Sequence, residues 1–81
     1  MRQAITDEPV ALAGTSSGTE YTVQNLAGIR CRIAVKADAS GALASHYFIE
    51  PFEHGYPTPD SGQSIYVWND LGEGEVNYEE T

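Results

Sequence analysis

Residues 41–81 of this 81-residue sequence contain neither lysine nor arginine. A single cysteine, Cys31, means the chain can close no disulfide on itself and build no Cys/His finger. No stretch approaches the roughly 20 apolar residues of a membrane span. The opening MRQAITDEPV has no apolar run behind Arg2, so no secretory signal is expected. The spacings of a dinucleotide loop, a phosphate loop, a nucleophile elbow and a zinc-protease helix are all missing. No window carries a helical stripe of apolar residues. Catalysis is therefore not expected, and neither is a cofactor.

What is present bounds the answer from the other side. An apolar share of 41% is that of a globular chain, and the length allows one domain over residues 1–81. Residues 1–19 read as an extended N-terminal arm or edge strand. A chain this short buries only about 60% of the surface its unfolded form exposes. With no disulfide to compensate, association is expected to supply stability. Charge is lopsided: Arg2, Arg30, Arg32 and Lys36 balance Asp7, Glu8, Glu20 and Asp38 in residues 1–40. The whole net charge of −8 therefore sits in residues 41–81. Such a chain is repelled by phosphate backbones and anionic membranes, so neither nucleic acid nor membrane is an expected partner.

The clearest strand is Gly28–Lys36. Ile29, Cys31, Ile33 and Val35 share one face, and Arg30, Arg32, Ala34 and Lys36 the other, in strict alternation. Glu20–Asn25 precedes it, with a turn at Asn25–Gly28, and the two read as a hairpin. Asp38–Ser45 reads as loop with room for a helical turn, and His46–Glu50 as a strand stopped by Pro51. Pro57 and Pro59 exclude a central strand from the connection Phe52–Ser64. Ile65–Asn69 is apolar on both faces and reads as a buried strand. The glycine turn at Gly72 and Gly74 is expected to pair it with the last strand, Glu75–Glu79. The fold class is all-β: a small antiparallel sandwich or barrel of five to seven short strands.

Few constellations offer chemistry. His46, Glu50, Glu53 and His54 invite a metal reading, but four residues of strand separate His46 from Glu50 by about 13 Å. Zinc ligands need about 2 Å, so no metal is expected. Cys31, between Ile29 and Ile33, reads as a small core residue rather than a nucleophile. The acids Glu73, Glu75, Glu79 and Glu80 lie at a turn and a terminus, with no apolar pocket to make one an acid catalyst. Tyr66 and Trp68 read as core, and Tyr56, between Gly55 and Pro57, as surface. One arrangement points to partners: Arg30, Arg32 and Lys36 form a basic stripe, while Glu75 and Glu79 share the outward face of the last strand. These five residues are the candidate partner contacts, suited to cross-strand or intersubunit ion pairs.

From Tyr21–Asn25 onward, the pattern resembles small accessory structural proteins of tailed bacteriophages. An alternating strand is followed by a Gly/Pro-rich middle, an apolar strand ending at Trp68, a glycine turn, and Val76-Asn-Tyr-Glu79. The resemblance covers roughly residues 20–80. It implies a non-catalytic virion component, a capsid decoration or head-fibre base, made in the host cytoplasm and seated on the shell as a homotrimer. A second expectation comes from the acid excess: a small inhibitor that mimics nucleic acid and blocks a basic host surface.

Overall fold

The computed structural model describes all 81 residues. Eight strands and one short helix form: β1 (Arg2–Ala4), β2 (Val10–Ala11), β3 (Tyr21–Asn25), β4 (Cys31–Lys36), α1 (Ala39–Ala44), β5 (Tyr47–Ile49), β6 (His54–Gly55), β7 (Ser64–Trp68) and β8 (Glu75–Glu80). They build two four-stranded antiparallel sheets, ordered β1-β8-β3-β6 and β2-β7-β4-β5. Of the all-β sandwich or barrel of five to seven strands expected, the sandwich forms, with eight strands rather than seven at most. Beyond the segments legible as strands lies β6, two residues whose pairing with Val23 and Gln24 no local pattern announces.

The chain alternates between the sheets almost throughout. Only β4 and β5 are both consecutive and hydrogen-bonded, and α1 joins them. Each strand of one sheet thus has its neighbour in sequence lying across the sandwich, which is the strand order of a jelly roll. This corrects two expectations. The segments 20–25 and 28–36 are no hairpin: β3 pairs with β8 and β6, β4 with β7 and β5. Nor does the Trp68 strand pair with the C-terminal one, since β7 lies between β2 and β4 while β8 lies between β1 and β3. Alternation decides which face of a strand is buried, not which strand lies beside it. Loops of five or six residues can climb the roughly 10 Å between stacked sheets, where a two-residue turn could not.

Two buried asparagines shape those climbs. At the β3–β4 arch, Asn25 Oδ1 accepts the Ala27 N–H at 2.7 Å, while Nδ2 donates to the carbonyls of Ile29 and Ile49 at 2.8 and 3.0 Å. At the β7–β8 arch, Asn69 Oδ1 accepts the Gly72 N–H at 2.9 Å and Nδ2 donates to the Glu73 carbonyl at 2.9 Å. The two arches pack on each other at Gly74, where a Cβ would stand 2.8 Å from that of Ala27 and φ is +144°. Only glycine fits there.

Between the sheets, Tyr21 and Val23, Val76 and Tyr78, Cys31 and Ile33, Ile65 and Val67 interdigitate with Ile5, Leu12, Ala27 and Ile49. A second cluster lies outside the sandwich. Trp68, Ala34 and Ala42 bury one another where α1 covers the outer face of the β2-β7-β4-β5 sheet. Trp68 is core, as its apolar strand indicated, but in this outer layer rather than between the sheets. Asp38 starts the helix by accepting the Gly41 N–H at 2.7 Å.

Burial pushes the Cys31 thiol above its ordinary value of 9.0, and raises the phenols of Tyr47 and Tyr78 above 10.0. Each group holds its proton more tightly in the folded chain than in the unfolded one. Its contribution is therefore complete below the unfolded value and is lost as pH rises through the folded one. Urea midpoints should stay level up to about pH 8 and fall from about pH 9 upward. Cys31→Ala should delay the onset of that fall. A midpoint that climbs between about pH 8 and pH 10.5 contradicts this account.

Candidate interaction surface

The basic stripe sits on the outer face of the helix-covered sheet, and the structure gives each of its members a different role. Arg32 is committed within the chain. Its Nε and Nη2 donate to Asp70 Oδ1 and Oδ2 at 3.1 and 2.9 Å, a bidentate pair. The hydrogen bond from Arg32 holds the Asp70 carboxyl below its ordinary range, and the same bond raises the guanidinium. Its Nη1 reaches His46 Nε2 at 2.7 Å, while His46 Nδ1 lies 3.0 Å from the Ala42 carbonyl. The carbonyl can only accept and the guanidinium only donate. In this geometry the imidazole donates from Nδ1 and accepts at Nε2.

The imidazole also packs edge-on against Trp68 and Phe48, with ring centroids 5.0 and 5.8 Å away. It thereby ties the helix, the arginine and the outer aromatic layer together. Arg30 differs from Arg32. Its guanidinium lies 4.1 Å from the Phe48 ring centre, a cation–aromatic contact, and it makes no hydrogen bond or ion pair within the chain. The Arg32 guanidinium stands 4.9 Å from the same ring. Lys36, half-buried, lines a hollow of about 280 Å³ with Ser45, His46 and Tyr47.

Glu75 and Glu79 lie on the opposite side of the sandwich, on the outward face of β8. Register sets Glu79 beside Thr22 and Glu75 beside Ala4. Across the middle runs a row of Arg2, Asn77, Gln24 and His54. No helix covers this sheet. The five candidate partner contacts are thus divided between the two outer faces, and no pair of opposite sign among them meets within one chain. A contact of one outer face on the opposite outer face of the next copy repeats as a stack, because the two faces are parallel. It does not turn back on itself.

His46, Glu50, Glu53 and His54 do not gather, and no group of three or more His, Cys, Asp or Glu side chains converges as a metal site. Tyr56 is on the surface, as its Gly/Pro flanks indicated. Sequence reasoning missed Asp70, Phe48 and the role of His46, which meet Arg32 only through tertiary placement. It also missed Asn25 and Asn69, although Asn-x-x-Gly stands at both arches and was there to be read.

What these features define is a jelly-roll sandwich with one dressed and one bare outer face. No family model, curated protein or solved structure matches the chain.

Proposed function

We propose that this chain is a non-enzymatic structural protein of a tailed-phage virion, binding a larger protein shell as a homo-oligomer, a trimer in the expected form. The observation that carries the reading is that four of the seven exposed large apolar side chains, Tyr47, Phe48, Phe52 and Tyr56, fall within ten residues around β5 and β6 of a very small domain. Large apolar side chains left exposed in such a concentration are the kind that association covers. Support also comes from the phage-like succession of strands over residues 20–80, and from the recurrence of jelly rolls in viral capsid domains. The second of these is an analogy of fold, which by itself carries no function.

Purified virions of the phage that encodes the chain should contain it in many copies per particle, counted by quantitative mass spectrometry. Its absence from washed particles would overturn the structural role and favour the inhibitor of a basic host protein.

A further inference from the structure

The chain leaves β5 through a four-residue turn, Glu50-Pro-Phe-Glu53, in which the Glu53 N–H donates to the Glu50 carbonyl at 3.0 Å. Phe52 holds the third place with φ at +64°, the one non-glycine residue of the chain at positive φ. Proline second and positive φ third is the arrangement of a type II turn, whose third place ordinarily takes glycine or asparagine. A phenylalanine there bears backbone strain. Burial does little to offset it, because the residue is 63% exposed. An apolar ring left in water on a strained backbone costs the isolated chain twice, and such costs persist at functional sites.

Strain on a loose loop would relax, but this turn is bolted to β3. The Phe52 N–H donates to the Asn25 carbonyl at 2.8 Å, and the Asn25 N–H to the Glu53 carbonyl at 3.1 Å. Gln24 Nε2 donates to the Phe52 carbonyl at 3.1 Å. Asn25, fully buried, also holds the Ile49 carbonyl just before the turn at 3.0 Å. Glycine in place of Phe52 would relieve the strain and keep every one of these bonds. What phenylalanine adds is the ring alone, on a support so fixed that little entropy is left to lose when a partner takes it.

Charge says what kind of partner that is. Glu50 and Glu53 flank the ring, their Cα atoms at most about 7 Å apart across the turn. Both are exposed, and neither carboxylate has an ion pair or hydrogen bond within the chain. We infer that Phe52 is the anchor by which the chain docks on the shell protein, entering an apolar socket whose rim carries lysine or arginine to meet Glu50 and Glu53. A desolvated aromatic within a ring of polar contacts is the usual build of the energetic centre of an interface. The inference rests on the structural role proposed above and names its contact.

Two measurements decide the matter. In urea, Phe52→Asn should unfold at a midpoint no lower than wild type, since asparagine accepts positive φ and the ring stands mostly in water. In the phage, copies of the chain per washed virion, counted by quantitative mass spectrometry, should fall about tenfold or more with Phe52→Asn, at unchanged amounts in the infected lysate. Glu50→Lys combined with Glu53→Lys should lower them likewise. Asp60→Lys combined with Glu80→Lys, the same change of net charge at two other exposed acids, should not. A clearly lower urea midpoint for Phe52→Asn would make the ring structural and overturn the anchor. Wild-type copy numbers with Phe52→Asn would dispose of the anchor and leave the virion role standing. Equal losses from both pairs of charge reversals would overturn the basic rim. Wild-type particles without the chain would overturn the virion role and the anchor together.

Discussion

Asn25→Leu should abolish cooperative folding at room temperature. The side chain is fully buried and makes three hydrogen bonds, to Ala27, Ile29 and Ile49. Leucine keeps the branched shape but is bulkier, so overpacking adds to the loss of the polar contacts. The substitution strands the Ala27 N–H and the Ile49 carbonyl in the interior and unties the part-buried Ile29 carbonyl. Each buried group left without a partner costs about 1–3 kcal/mol. Two such groups, with the overpacking, reach the whole stability of a small domain, about 5 kcal/mol at the low end of the usual range. Asn25 also joins three segments, because its bonds hold the arch from β3 to β4 and the end of β5 in one knot. Chemical denaturation followed by circular dichroism checks the expectation. An Asn25→Leu variant that unfolds cooperatively within about 1 kcal/mol of wild type would show that water replaces these bonds without cost.

Trp68→Ala is expected to cost about 3–5 kcal/mol, the usual range for emptying a buried aromatic site. The ring is 3% exposed and packs with Ala34, Ala42 and the edge of His46. What fails first should be the outer layer. Without the indole, α1 loses the surface it rests on, and His46 loses the ring that steadies it against Arg32. The expected result is a lower denaturation midpoint together with early amide-exchange loss in residues 39–46, ahead of the strands between the sheets. Trp68 is the only tryptophan, so circular dichroism must replace fluorescence as the probe. Uniform loss of protection across both sheets, with no earlier loss in the helix, would place Trp68 in the main core after all.

The two substitutions test different layers of one design. Asn25 governs how the chain passes from sheet to sheet, and Trp68 how one sheet is dressed on its outside. The dressed face explains why the basic stripe is not a free cationic row. Burying Ala34 and Trp68 beneath α1 brings His46 and Asp70 up to Arg32, and the pairing removes that arginine from the pool of partner contacts. Arg30, at the end of the strand and beyond the helix, keeps its donors.

Much of this was decided by the sequence alone. The alternation through Cys31, Ile33 and Val35 set the inward face of β4, and Val76 and Tyr78 did the same for β8. The prolines at 57 and 59 kept the stretch from Tyr56 to Gln63 out of the sheets, and Asp38 marked the start of a helical turn. These are local properties: side-chain period, a missing N–H, a cap within three residues. Tertiary structure decided which strands lie side by side. Tyr21 and Val23 bury one face equally well against a hairpin partner or against a strand across the sandwich, and only the ties of Asn25 and Asn69 select the second. It also decided that Ala34, on the polar side of its strand, is buried, and that Trp68 is buried outside the sandwich, because a helix of six residues folds back over them. No period along one strand encodes what another segment of chain will lay upon it.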